Sequence, residues 1–264
     1  MVVLIKVADI TTLATQQIYG RGCCNRKHVN MCYTAKYLIE KALKRARHYG
    51  IAEDIRRYEE ELKDFKDLEK ASGFSHPKII IYTNKEPYHP ILSQWGLIPH
   101  WIRNTAQAHN IWNKTLNARG ESIFEKPSFK AAAHSWRCLI PVAGFYEYHH
   151  RDNTTIPYYI ARQDNEPMQL AGLWSQWINP DNGQSHHTCT IVTTQANELM
   201  TQIHNNPKVK EPRMPLILAD GKEDDWLQLK DKNALASLLI PFPEERLQAM
   251  PYQEEKSSDN PELW

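Results

Sequence analysis

From residue 78 onward the apolar positions fall in short, β-branched runs. Lys78-Ile79-Ile80-Ile81-Tyr82, Cys138-Leu139-Ile140-Pro141-Val142 and residues 157–162 each predict a strand. Runs over 170–178 and 188–194 flank Asn179-Pro180-Asp181-Asn182-Gly183, turn chemistry that predicts a hairpin. Residues 213–218 read as a late strand and 224–239 as a helix. Ahead of residue 78 the period changes to three-to-four. In a helical segment over 34–75, Thr34 is placed as an N-cap and Gly50 as a C-terminal stop. A second helix there carries Ile51, Ile55, Tyr58, Leu62, Phe65 and Leu68 on one face. Its opposite face pairs Glu53/Arg57, Arg56/Glu60 and Glu59/Lys63 and reads as solvated. Residues 1–30 lack sustained periodicity and read as an upstream extension or a misassigned start; residues 253–264 read as a loose tail. Strands outside any regular β-α alternation predict an α+β fold over 31–252. The expectation is a single domain with a mainly antiparallel, barrel-like sheet flanked by helices.

Composition narrows the function classes. A net charge of +1 over 264 residues gives no global field for a polyanion, so a nucleic acid would have to be held by a local patch. Five cysteines, an odd count, fit a reducing cytosol better than a disulfide scaffold, and the expected location is cytoplasmic. The run Val2-Val3-Leu4-Ile5 is broken by Lys6 and Asp9, too short for a signal core or a membrane span. No glycine-rich nucleotide loop is present, so no ATP step or other cofactor is expected. Cys23, Cys24, His28 and Cys32 match no common zinc spacing, and no metal is expected. His149-His150 and His186-His187 read as solvated residues of polar loops, and Cys138 and Cys189 as small core residues.

Several residues could carry chemistry, though each has a plain structural reading. Asn117-Ala118-Arg119 follows a Trp-rich segment that ends at Trp101. Glu147 lies among apolar neighbours in Gly144-Phe145-Tyr146-Glu147-Tyr148, where an acid is either paired or raised in pKa. His204 follows a stretch that reads as a strand running into a helix, and Arg213 opens a strand. Met31-Cys32 reads as a buried start: removing Met31 and everything before it leaves Cys32 with an α-amine beside its thiol.

Taken in order, Trp-Gly-Leu-Ile-Pro, Asn-Ala-Arg, Arg-Cys-Leu-Ile-Pro-Val-Ala-Gly-Phe-Tyr-Glu, Ala-Gly-Leu-Trp, Thr-Ile-Val-Thr-Thr-Gln-Ala-Asn, Ile-His and Arg-Met-Pro-Leu-Ile-Leu closely resemble the SOS-response-associated peptidase family. Its members begin with Met-Cys, which Met31-Cys32 supplies. The resemblance implies a monomeric sensor of abasic sites in single-stranded DNA that becomes covalently attached to them, with no membrane role. It implies that the Cys32 amine and thiol close a thiazolidine on the sugar aldehyde and shield the strand from cleavage. Glu147 is then the general acid/base, His204 a proton shuttle, and Asn117 the residue that orients Cys32. Arg119 and Arg213 hold phosphates and Trp101 stacks on bases. The family's older label classes it with peptidases, hence hydrolases, and its sugar chemistry with lyases. The chain departs from the family pattern in three places. Tyr33-Thr34 follow Met-Cys where Gly-Arg is common. Residues 205–212 lengthen the gap between His204 and Arg213, which weakens the transfer of the Arg213 role. Residues 1–30 precede the Met-Cys pair, and Cys32 has no free amine while they stay attached. The alternatives are a cysteine peptidase using Cys32 and His204, and a non-covalent DNA reader with a structural Glu147.

Overall fold

The computed structural model describes residues 4–5, 71–152 and 154–252. Its strands, in chain order, are β1 (Leu4–Ile5), β2 (Ala71–Ser72), β3 (Lys78–Thr83), β4 (Pro90–Trp95), β5 (Asn117–Arg119) and β6 (Arg137–Val142). After these come β7 (Gly144–Arg151), β8 (Thr154–Arg162), β9 (Met168–Ile178), β10 (Ser185–Gln195), β11 (Arg213–Pro215) and β12 (Leu247–Pro251). The helices are α1 (Thr105–Trp112), α2 (Pro127–Ser135), α3 (Glu198–Ile203), α4 (Glu223–Gln228) and α5 (Lys232–Ala236).

Five strands close a barrel in the order β10, β4, β3, β6, β9 and back to β10. Four of its junctions are antiparallel, and β4–β10 is parallel. Closure leaves these strands no unpaired edge to protect. A second sheet runs β12–β8–β7–β1–β2, with β7 at its centre. The chain crosses between the two sheets at Ala143, between β6 and β7. Phe145, Ile160 and Leu247 from the second sheet join barrel residues such as Ile81, Trp95 and Ile191 in one apolar core. A second core lies under α2, α4 and α5, built on Phe129, Leu139, Leu173, Trp226 and Leu235.

This is the expected α+β architecture with a barrel of mainly antiparallel strands. The hairpin turn forms as its residues predict. Gly183 takes φ +72°, and its N–H donates to the Asn179 carbonyl at 2.8 Å. Cys138 and Cys189 are fully buried on β6 and β10. Other expectations are corrected. The helix expected over 224–239 is two helices, because Leu229 turns extended (ψ 134°) and Asp231 caps the second by accepting from the Asn233 N–H. The late strand stops at Pro215; beyond it Leu216 and Leu218 donate separately to Val192 and Gln169, bridging β10 and β9. The helical segment over 34–75 ends in a strand, Ala71–Ser72, and a 3-10 turn, while 34–70 lie outside the described residues. The paired histidines are not in loops: His149 and His150 are half-buried on β7, and His186 and His187 on β10. The reading of 1–30 as an upstream extension stays an expectation; within it Leu4–Ile5 form β1, pairing with Tyr146 and Phe145 of β7. No helix among the described residues is long and apolar enough to cross a membrane.

One buried cation ties the helices to the barrel. Arg137, at the start of β6, is 3% exposed. Its guanidinium donates to the carbonyls of Ala133 and His134 in the last turn of α2, and to those of Trp226, Leu227 and Leu229 around the end of α4. A helix end leaves carbonyls without partners inside the helix, and one planar fork serves two such ends here. Replacing Arg137 with Met keeps much of the bulk and strips those carbonyls of their donors. The Arg137→Met variant is expected to lose on the order of 3 kcal/mol of stability in urea unfolding. A loss below about 0.5 kcal/mol would contradict this role.

Candidate active site

The site is built where β10 outruns the barrel. β9 flanks it up to Ile191, and β4 flanks it at Thr188 and Cys189. Past that point β5 takes one side, pairing Ile191 with Asn117 and Thr193 with Arg119, and β11 takes the other, pairing Gln195 with Arg213. Three sequence-predicted residues are thereby gathered from distant parts of the chain. They border a cleft of about 590 Å³ together with Thr193 and His204. The cleft's remaining wall comes from the segment between His204 and Arg213.

His204 reaches the cleft from the C-terminal end of α3, whose start is fixed by Asn197 accepting from the Met200 N–H at 2.8 Å. The His204 ring is buried, and its Nδ1 lies 3.2 Å from the Arg213 carbonyl. A carbonyl can only accept, so Nδ1 carries the proton and Nε2 keeps its lone pair. Burial pulls the imidazole pKa down, so the ring is neutral at neutral pH.

Glu147 lies beside it. On β7 the strand period of two puts Glu147 on the same face as the fully buried Phe145, which points it into the protein. β7 can sit there because Gly144 lets β8 come close; a Cβ at that position would meet the Ile160 carbonyl oxygen at 2.4 Å. Glu147 is 4% exposed. Its Oε1 accepts from the Tyr148 N–H at 3.0 Å. Its Oε2 has no hydrogen-bond partner among the described residues and stands 3.5 Å from His204 Nδ1, beyond good hydrogen-bond reach. Burial pushes the carboxyl up to about 7, against the smaller opposing pull of the Tyr148 N–H. A carboxyl poised near neutrality beside a neutral imidazole is an acid/base pair: one can give a proton while the other takes one.

The two arginines differ. Arg213 is 7% exposed, and its guanidinium is spent on the Thr193 hydroxyl (3.1 Å), the Thr193 carbonyl (2.8 Å) and Glu121 (2.7 Å). Arg119 is exposed and, among the described residues, pairs with the exposed Glu211 at 3.1 Å. Asn117 lines the cleft from β5. Trp101 is 46% exposed in the loop after β4 and is not among the cleft residues. Cys32 lies outside the described residues. Thr193, which holds Arg213, had no role assigned from sequence; its only signal was its place in the Thr-Ile-Val-Thr-Thr motif.

The model of the SOS response associated peptidase (SRAP) family matches residues 36–257, most of the chain. The chain belongs to the SRAP family. It is similar to the abasic site processing protein YoqW of Bacillus subtilis (strain 168), with 41% identity over 159 residues, 59% of this chain and 66% of YoqW. It also resembles the abasic site processing protein HMCES of Xenopus tropicalis, 30% identical over 174 residues, 58% of this chain and 49% of HMCES. The chain thus spans just under two thirds of YoqW and about half of HMCES. A crystal structure of a Bacteroides thetaiotaomicron protein matches with TM-score 0.70 and 35% identity, over 81% of this chain and 89% of that one.

In this SRAP chain the raised carboxyl has a thermodynamic consequence. Its folded pKa of about 7 exceeds the ordinary 4.5, so the folded state takes up the proton and resists losing it. The resulting penalty is absent below about pH 4.5, grows as pH rises, and is complete above about pH 7, where it reaches on the order of 3 kcal/mol. Glu147→Gln copies the protonated form. That variant is expected to be more stable than the parent at pH 8 and to lose its advantage at pH 4.5 in urea unfolding. An advantage that does not change with pH would contradict the assignment.

Proposed function

We propose that this SRAP chain captures abasic sites in single-stranded DNA through Cys32, once the residues up to Met31 have been removed. The ring-opened sugar offers an aldehyde. The Cys32 amine adds to it and one water leaves, giving an imine; the thiol then adds across the C=N bond and closes a thiazolidine. The buried Glu147 carboxyl next to neutral His204 is the observation that carries this reading. Water loss needs a proton donor at the hydroxyl of the first adduct, and a carboxyl titrating at about 7 can supply it at neutral pH. His204 Nε2 can receive a proton as the ring closes or reopens. Exposed Arg119 supplies a cation for the DNA backbone at the cleft that His204 borders, with Glu147 behind His204. The names of the relatives, abasic site processing proteins, support the substrate class.

A cysteine peptidase using Cys32 and His204 is the second reading, supported by the family's name. Such an enzyme works through a thiolate stabilised by an imidazolium. Burial that lowers the His204 pKa disfavours that ion pair and favours the capture reading.

Protein beginning at Cys32 is expected to form an adduct with single-stranded DNA carrying one abasic site, seen as a shifted band on a denaturing gel. Cys32→Ala is expected to form none, and undamaged DNA is expected to give no shift. Adduct in undiminished yield from Cys32→Ala would overturn the proposal. Cleavage of the full chain before Cys32, without any adduct, would favour the peptidase.

A further inference from the structure

The eight residues between His204 and Arg213 form a short, well-fastened wall. Asn205 is locked to β7 by two bonds: its Oδ1 accepts from the His150 N–H at 2.7 Å and its Nδ2 donates to the His150 carbonyl at 2.9 Å. A turn follows, in which Asn206 Oδ1 accepts from the Lys208 N–H (3.0 Å) and the Asn206 carbonyl accepts from the Val209 N–H (2.9 Å). The far end is held by the Ala196 N–H donating to the Pro212 carbonyl at 3.1 Å. Pro207 and Pro212 restrict φ within the same stretch. This wall carries exposed Lys208 and Lys210 to the cleft that Arg119 borders from the opposite strand. Of the ionisable side chains lining the cleft besides His204, four are cations (Arg119, Lys208, Lys210, Arg213) and one is an anion, Glu211. Glu211 lies on Arg119, and buried Arg213 is committed to Thr193 and Glu121. The two lysines have no carboxylate within ion-pair distance among the described residues.

We infer that this segment is a phosphate-binding wall of the cleft: Lys208 and Lys210 each take a phosphodiester of the bound strand beside the one that Arg119 takes, and Glu211 occupies the Arg119 guanidinium until that phosphate displaces it. The inference rests on the capture reading for the identity of the ligand as single-stranded DNA. The chemistry is that of an anion site fixed ahead of binding. A turn tied at both ends loses little freedom when the strand arrives, and the two ammonium groups act as point charges on the backbone without reading bases. A carboxylate on Arg119 stands where a phosphate oxygen would stand, so its removal leaves the guanidinium open.

The test uses the full chain and an undamaged, fluorophore-labelled oligothymidylate, with affinity measured by anisotropy across a salt series. Lys208→Gln/Lys210→Gln is expected to weaken binding at low salt and to lower the slope of log affinity against log salt by about 1.4, the equivalent of two single-strand phosphate contacts. Glu211→Gln is expected to tighten binding. Lys126→Gln/Lys130→Gln, which removes two exposed charges on and beside α2 away from the cleft, is expected to leave the slope unchanged. An unchanged slope in the Lys208/Lys210 variant, or an equal drop in both double variants, overturns the inference. The capture reading would survive that result if adduct still forms with abasic DNA. A parent chain that binds no single strand overturns the inference, and the adduct assay with protein beginning at Cys32 decides the capture reading separately.

Discussion

A carboxyl group folded out of water, with one oxygen left unpartnered among the described residues, is the constraint around which this site is arranged. Burying Glu147 costs stability unless the group holds its proton, and the fold imposes that cost deliberately in the geometric sense: β7 is drawn tight against β8 at Gly144, and the strand period then turns Glu147 onto the face of Phe145. The neighbour that could have relieved it, His204, gives its Nδ1 proton to the Arg213 carbonyl and is itself driven neutral by burial. Neither group neutralises the other by forming a full ion pair. The Glu147 carboxyl titrates near neutral pH and the His204 ring stays neutral beside it, a setting in which a carboxyl can act as a general acid.

The charges needed for a polyanion are held apart from that pair. Arg213 is a structural cation that closes β10 and β11 around Thr193, so its contribution to the cleft is a fixed field and a positioned carbonyl for His204. Arg119 and the lysines of the segment after His204 are exposed and replaceable by solvent or ligand. A near-neutral chain therefore offers a local positive surface, as its net charge of +1 requires of any polyanion binder. The buried acid/base pair keeps its low-dielectric setting while the cations stay wet.

Much of this was legible in the sequence. The β-branched runs at 78–82 and 138–142 and the Asn179–Gly183 turn located barrel strands, because half-buried strands and tight turns write themselves in local residue choice. Glu147, His204, Asn117 and Arg119 were singled out by linked motifs, and the structure sets Asn117, Arg119 and His204 on one cleft with Glu147 beside His204. What escaped was non-local. α2 buries only Phe129, Ala132 and Ala133, too faint a stripe to read. β4 opens at a proline, and β5 is three residues made strand by β10 alone. The continuous helix expected over 224–239 failed because Asp231 prefers to cap a new helix. His149-His150 and His186-His187, polar doublets that look like loops, extend strands through cross-strand pairing. The burial of Arg213 by Thr193 could not be seen at all until β11 met β10.

The most direct test of this account is the titration of the Glu147 carboxyl itself, followed by carbon NMR on glutamate-labelled protein with Glu147→Gln to assign the signal. The account predicts a midpoint near pH 7. A midpoint in the ordinary range for glutamate, about 4.3, would mean that the group is ionised at neutral pH and is no proton donor to an abasic sugar.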